Sequence, residues 1–95
     1  MRLRWLVSAR VDLARIVDEI AIDNSVAADA FEMRLFKMVA HLTTFPDAGR
    51  TGRVAGTREL IVPEHPYIIV YRTTVEAVEV LKVLHGARQW PPQEV

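Results

Sequence analysis

Apolar and polar positions change rhythm several times along this chain, and the changes mark its elements. Residues 2–7, Arg2-Leu3-Arg4-Trp5-Leu6-Val7, alternate basic and apolar before running apolar. That period of two predicts a short strand burying Leu3, Trp5 and Val7. Ser8 then stands where a hydroxyl can cap a helix by accepting from a first-turn N–H. Leu13, Ile16, Val17 and Ile20 follow at helical spacing, with Asp12, Arg15, Asp18 and Glu19 on the other side. This helix is expected to end near Asp23-Asn24, two residues that favour turns. Ser25 is the next cap candidate. Ala28, Phe31, Leu35, Met38, Val39 and Leu42 form one apolar stripe, closed by Pro46, which pushes Phe45 out of the α region. Two amphipathic helices joined this tightly pack as an antiparallel hairpin.

Beyond the hairpin the period of 3.6 disappears. Residues 46–57 hold three of the four glycines and read as a loop. A short strand is expected over Glu59 to Val62, ended by Pro63-Glu64-His65-Pro66. Tyr67 to Arg72 is almost continuously apolar, as a central strand covered on both faces would be. Val78 to Leu84 has an ambiguous period, since Val75, Val78 and Leu81 also suit a helix; its valines favour a strand. The order is β-α-α-β-β-β, an α+β class with an N-terminal strand and a helical hairpin packed on a mostly antiparallel sheet. The sheet's other face then needs cover or serves as a binding surface.

Composition narrows the classes. Ninety-five residues, half of them apolar, suit one domain spanning residues 1–95. A chain of this size buries roughly 65% of its unfolded surface, enough for a modest core. There is no cysteine, so neither a disulfide framework nor a thiolate metal site is available. No apolar run approaches the ~20 residues that cross a bilayer, and Met1 to Val7 is too short and charged for a signal peptide. A cytoplasmic protein is therefore expected. Twelve basic residues balance twelve acidic ones, so no long-range field gathers phosphates and direct nucleic-acid binding is not expected. Ten of the cations are arginine, the residue suited to directed, bidentate contacts.

Candidate chemistry is sparse. His41 lies in the last turn of a helix, where the dipole favours a cation. His65 sits exposed between two prolines, and His85 can titrate near neutral pH but has no partner nearby in sequence. Three scattered histidines lack metal-ligand spacing, so neither metal nor cofactor is expected. Tyr67 and Tyr71 point to one side of their strand and read as core. Arg50, Arg53 and Arg58 form a locally positive stretch with no acid between Asp47 and Glu59; it is either a solvated loop or a surface for acidic patches on a partner. Glu59 reads as a strand-edge polar residue, and Arg72 can line the same concave face as the loop arginines. In the tail, Arg88 and Trp90 are either an exposed protein-binding pair or a lid, with Trp90 folded back on the sheet.

The helical hairpin, GTREL at Gly56 to Leu60, PYIIVYR at Pro66 to Arg72 and VLHGARQWP at Val83 to Pro91 together resemble the RelE/ParE toxin superfamily over nearly the whole chain. The HGAR-plus-aromatic ending is most similar to its ParE, or plasmid-stabilisation, branch. The resemblance implies a type II toxin paired with a ParD-like antitoxin in a hetero-oligomer. ParE-like members characteristically inhibit DNA gyrase by binding it, and RelE-like members cut messenger RNA on the ribosome. For the first activity, His85, Arg88, Trp90, Arg50, Arg53, Arg58 and Arg72 are the candidate target-binding residues, with no catalytic residue. For the second, His85, Arg88 and Arg58 would be catalytic. Positions that align with basic residues of the ribonucleases hold Glu59, Ile61 and Ile68 here; only Arg88 falls on an RNase arginine. The resemblance therefore favours a protein-binding toxin over an enzyme.

Overall fold

The computed structural model describes residues 1–87 together with Trp90 and Pro91. Strand β1 (Arg2–Trp5) leads into helix α1 (Val7–Asp23) and helix α2 (Ser25–His41). Strands β2 (Arg50–Thr51), β3 (Arg58–Ile61), β4 (Tyr67–Thr73) and β5 (Ala77–His85) follow. They form one five-stranded sheet in the order β1-β5-β4-β3-β2. Only the β1–β5 pair is parallel; β2 to β5 form an antiparallel meander. The expected α+β hairpin-on-sheet architecture is the one observed, with β2 an additional short strand inside the expected loop.

The α2 stripe faces the sheet as its spacing predicts: Ala28, Phe31, Leu35, Val39 and Leu42 are all buried. Phe31, Leu35 and Val39 meet Leu13 and Ile16 of α1 and Val62, Ile69, Val80 and Val83 beneath, and Leu42 packs with Tyr71 and Val78. At β5 the period breaks. Val70 pairs with Lys82 but Tyr71 pairs with Val80, which leaves Leu81 without an opposite residue. This bulge lets Val80 and Val83, three residues apart, both face the helices. It is why the strand's spacing looked partly helical.

Several local expectations are corrected. Both helices are capped one or two residues earlier than predicted. Leu6 stands at the N-cap of α1 with no side-chain bond, and the Ser8 hydroxyl instead accepts from the Lys82 ammonium at 2.9 Å. Asn24, not Ser25, caps α2, its Oδ1 accepting from Ala27 N–H at 3.0 Å. Val7 belongs to α1 and is exposed, and Leu3, on the edge strand β1, is not buried but 37% exposed. Trp5 is half-buried, its ring edge-on to Phe36 at 5.6 Å. Asp12, placed by periodicity on the solvent side, is buried. It accepts from Val83 N–H at 3.0 Å and from Lys82 at 2.9 Å, and so joins α1 to β5. His65 is not a bare turn residue: its ring lies 5.0 Å from that of Phe31.

Candidate interaction face

The sheet face away from the helices carries most of the candidate residues, and strand register explains why. Val70 and Arg72 alternate with Tyr71 on β4, so they point away from the hairpin. Their neighbours across the ladder are Glu59 on β3 and Glu79 on β5, and these in turn pair with Arg50 on β2 and Arg4 on β1. Two carboxylates on this face are each gripped by two arginines. Glu79 accepts from Arg72 Nε at 2.7 Å and has Arg4 at 3.6 Å. Glu59 accepts from the Arg50 guanidinium at 3.1 Å and from the backbone N–H of Arg53 at 2.9 Å, with Arg53 Nε at 3.5 Å.

The two clamps differ in depth. The Glu79 clamp is held by two half-exposed arginines, so solvent screens it and its contribution to stability is small. The Arg72 hydrogen bond nevertheless holds the Glu79 carboxyl below its ordinary value, against opposing burial. Glu59 is fully covered, with 1% of its surface exposed. Burial pushes its carboxyl up, but the Arg53 N–H, the Arg50 hydrogen bond and both guanidinium charges outweigh this and leave it below 4.5. Glu59 is therefore no strand-edge polar residue; it is an anionic post that folds the 50–53 segment onto the sheet.

A second post holds the start of that loop. The Tyr71 hydroxyl donates to the Pro46 carbonyl at 2.7 Å and accepts from Gly49 N–H at 2.8 Å. A Cβ on Gly49 would lie 2.7 Å from Tyr71 Cε1, so only glycine admits this approach. Tyr71 is core, as expected, and burial raises its phenol above the ordinary 10.0. Arg58 faces the same side as Tyr71, its register partner, and donates to the Gly49 carbonyl at 2.9 Å with Asp47 at 3.4 Å.

The expected target-binding set is thus divided. Arg50, Arg53 and Arg72 share the open sheet face, but each is engaged by a carboxylate rather than presented bare. Arg58 turns to the opposite side. His85 lies at the far end of β5, its Nδ1 accepting from Ala87 N–H and its ring 5.8 Å from that of Tyr67. Because Arg58 pairs with Tyr71 and His85 with Tyr67, the two are offset by about 13 Å along the strands; no shared cleft joins them. Arg88 lies outside the described residues. Trp90 folds back: it packs, as Leu81 does, against the buried cluster of Ile68, Val70 and Leu84 on the open face. Its Nε1 is buried without a hydrogen-bond partner among the described residues. Ile61, the register partner of Ile68, extends this apolar strip and is 53% exposed.

Sequence reasoning missed Glu59, Glu79 and Asp12 as anchors. For Glu79 the available signal was a single acid within the otherwise mostly apolar β5, with arginines a strand away; Asp12, among the other charges of α1, carried none. Among the described residues no group of histidines and acids is arranged to hold a metal ion, and no helix is long and apolar enough to cross a membrane.

A helical hairpin on a mixed five-stranded sheet, first strand parallel to last, defines a small α+β toxin fold of the RelE/ParE kind. The profile of the family described as ParE toxin of type II toxin-antitoxin system, parDE, matches residues 3–90. This chain belongs to the ParE toxin family, and so is the toxin of a ParDE-like type II system. It is 40% identical over 90 residues to the protein named "Putative toxin Y4kP" of Sinorhizobium fredii, covering 95% of this chain and 93% of the relative. It is 33% identical over 84 residues to toxin RelE2 of Caulobacter vibrioides, covering 88% and 93%. Among solved structures, a chain of the chromosomal ParDE TA system from P. aeruginosa superimposes with a TM-score of 0.81 at 24% identity, covering 90% of this chain and 95% of that one. A chain of the toxin-antitoxin complex RelBE2 from Mycobacterium tuberculosis gives 0.62 at 23%, covering 88% and 95%.

Proposed function

We infer that this chain acts by adhesion: it binds DNA gyrase and leaves DNA breaks unsealed, and a cognate ParD-like antitoxin neutralises it in the cytoplasm. One observation carries the reading. The three positions that align with basic residues of the ribonucleases, Glu59, Ile61 and Ile68, lie together on the open sheet face. There they make a clamped carboxylate and an apolar strip. Cutting RNA requires cations that stabilise a charged transition state and groups that move protons. Here the arginines around Glu59 and Glu79 neutralise protein carboxylates, and Arg58 and His85 stand apart. Large apolar side chains flanked by arginine instead suit a protein partner.

The antitoxin has surfaces to cover. An apolar hollow of about 350 Å³ is lined by Met38, His41, Leu42, Phe45, Ala48 and Leu60. A second, of about 440 Å³, lies beside Trp5, Leu13 and Phe36. Both suit the apolar face of a helix laid into a groove. Both solved neighbours come from toxin–antitoxin systems, which supports such a partner.

The test is a supercoiling assay. The purified chain is expected to inhibit gyrase, and Arg88→Ala to abolish the effect. A chain that arrests growth yet leaves gyrase unaffected would overturn this reading, and codon-positioned cuts in messenger RNA would replace it with ribonuclease action.

A further inference from the structure

We propose that Arg53 is a positioning residue: fixed by Glu59, it holds the Gly86 carbonyl and so helps to seat Trp90 on the open sheet face. The proposal rests on the reading of Trp90 as target-binding, and it moves Arg53 from direct contact to support.

The geometry runs in one line. Glu59 fixes both the backbone N–H and the Nε of Arg53, which aims the rest of the guanidinium. Its terminal nitrogen donates to the Gly86 carbonyl at 3.3 Å. Gly86 is the residue at which the chain leaves β5, and its own N–H donates to the Pro66 carbonyl at 2.6 Å. A few residues on, Trp90 packs against the cluster of Ile68, Val70 and Leu84, in which Val70 is the register partner of Glu59. Gly86 is therefore held from the loop and Trp90 from the sheet, with the buried Glu59 carboxylate fixing the arginine that makes the first contact. Arginine suits the task because its fork engages an acid with one side and a carbonyl with the other. Lysine, a point donor, reaches one or the other. The Glu59 position is also protected from solvent competition, so the aim of Arg53 is set before any partner arrives. A Trp90 already seated binds without first bearing the entropy of ordering it.

Arg53→Gln removes the guanidinium but keeps the backbone bond to Glu59, and the half-exposed side chain makes the substitution compatible with folding. Arg53→Lys is the conservative comparison. In a Trp5→Phe background Trp90 is the sole tryptophan, so the emission reports that residue alone. Arg53→Gln is expected to shift that emission to longer wavelength and to speed amide exchange at Gly86, while far-ultraviolet dichroism stays unchanged. Arg53→Lys is expected to restore part of both. If Trp90 is seated in only about a tenth of the molecules, the gyrase-inhibiting concentration rises about tenfold. Unchanged Trp90 emission and Gly86 exchange in Arg53→Gln would overturn the proposal, even with gyrase inhibition weakened, since Arg53 would then be a direct contact. Wild-type protein that ignores gyrase would sink the target reading alone; the emission and exchange changes would still establish the seating role.

Discussion

Glu59 carries a full charge into the sheet, and the arginines around it decide whether that charge helps or harms. Its carboxyl sits below 4.5 in the folded chain and near 4.5 when unfolded. A depressed folded value stabilises above the unfolded value and loses that contribution as pH falls through the folded one. Melting temperature is therefore expected to hold down to about pH 5 and then to fall, more steeply for the wild type than for Glu59→Gln. At neutral pH the variant is the less stable of the two, and the gap closes in acid. Parallel acid titrations of the two proteins would reject the clamp as an electrostatic anchor. Glu79 is likewise held below its ordinary value by Arg72, so the Gln variant keeps a residual acid slope.

At the scale of elements, the helix boundaries show how local chemistry and packing divide the work. Asn24 ends α1, with its N–H bonded to the Ile20 carbonyl, and begins α2 through its side chain. A junction of one residue leaves no room for Ser25 to cap. Asn24→Ala is expected to cost about 1 kcal/mol, and Ser25→Ala close to nothing, as denaturant unfolding would measure. Equal losses would return the cap to Ser25. The start of α1 is different. Ser8 is drawn into the helix because Lys82, crossing from β5, uses its hydroxyl, and no side chain caps Leu6. Here a long-range contact displaced a local preference.

The whole molecule is closed by its two ends. β1 pairs with β5, so the first and last strands lie side by side, and α1 is pinned over β5 by Asp12. That carboxylate accepts from Val83 N–H and from Lys82, partners some seventy residues away in sequence. Asp12→Ala strands a backbone donor and a partly buried ammonium, and is expected to cost about 3 kcal/mol. For a domain of this size that lowers the melting temperature by roughly 12–24 °C. Asp12→Asn, which can still accept from Val83, is expected to lose less. A calorimetric scan that finds both variants close to wild type would show the α1–β5 joint to be held by apolar packing alone.

What the chain's own pattern determined was the set of elements. The α2 stripe, the end of α1 at Asp23, the apolar β4 and, but for the two-residue β2, the order β-α-α-β-β-β follow from side-chain periodicity and turn chemistry, which act over a few residues. The superfamily was legible as well, since it rests on the order and spacing of short motifs. Tertiary structure decided where each charge went. Asp12 and Glu59 look like solvated residues in sequence because polarity is a local property. Whether a carboxylate is buried depends on the cation and backbone donors that other strands bring to it. The same holds for Trp90, whose position became decidable only once Ile68, Val70 and Leu84 were assembled into a face for it to cover. Burial of charge and the seating of Trp90 are long-range outcomes, and register, not residue type, sets them.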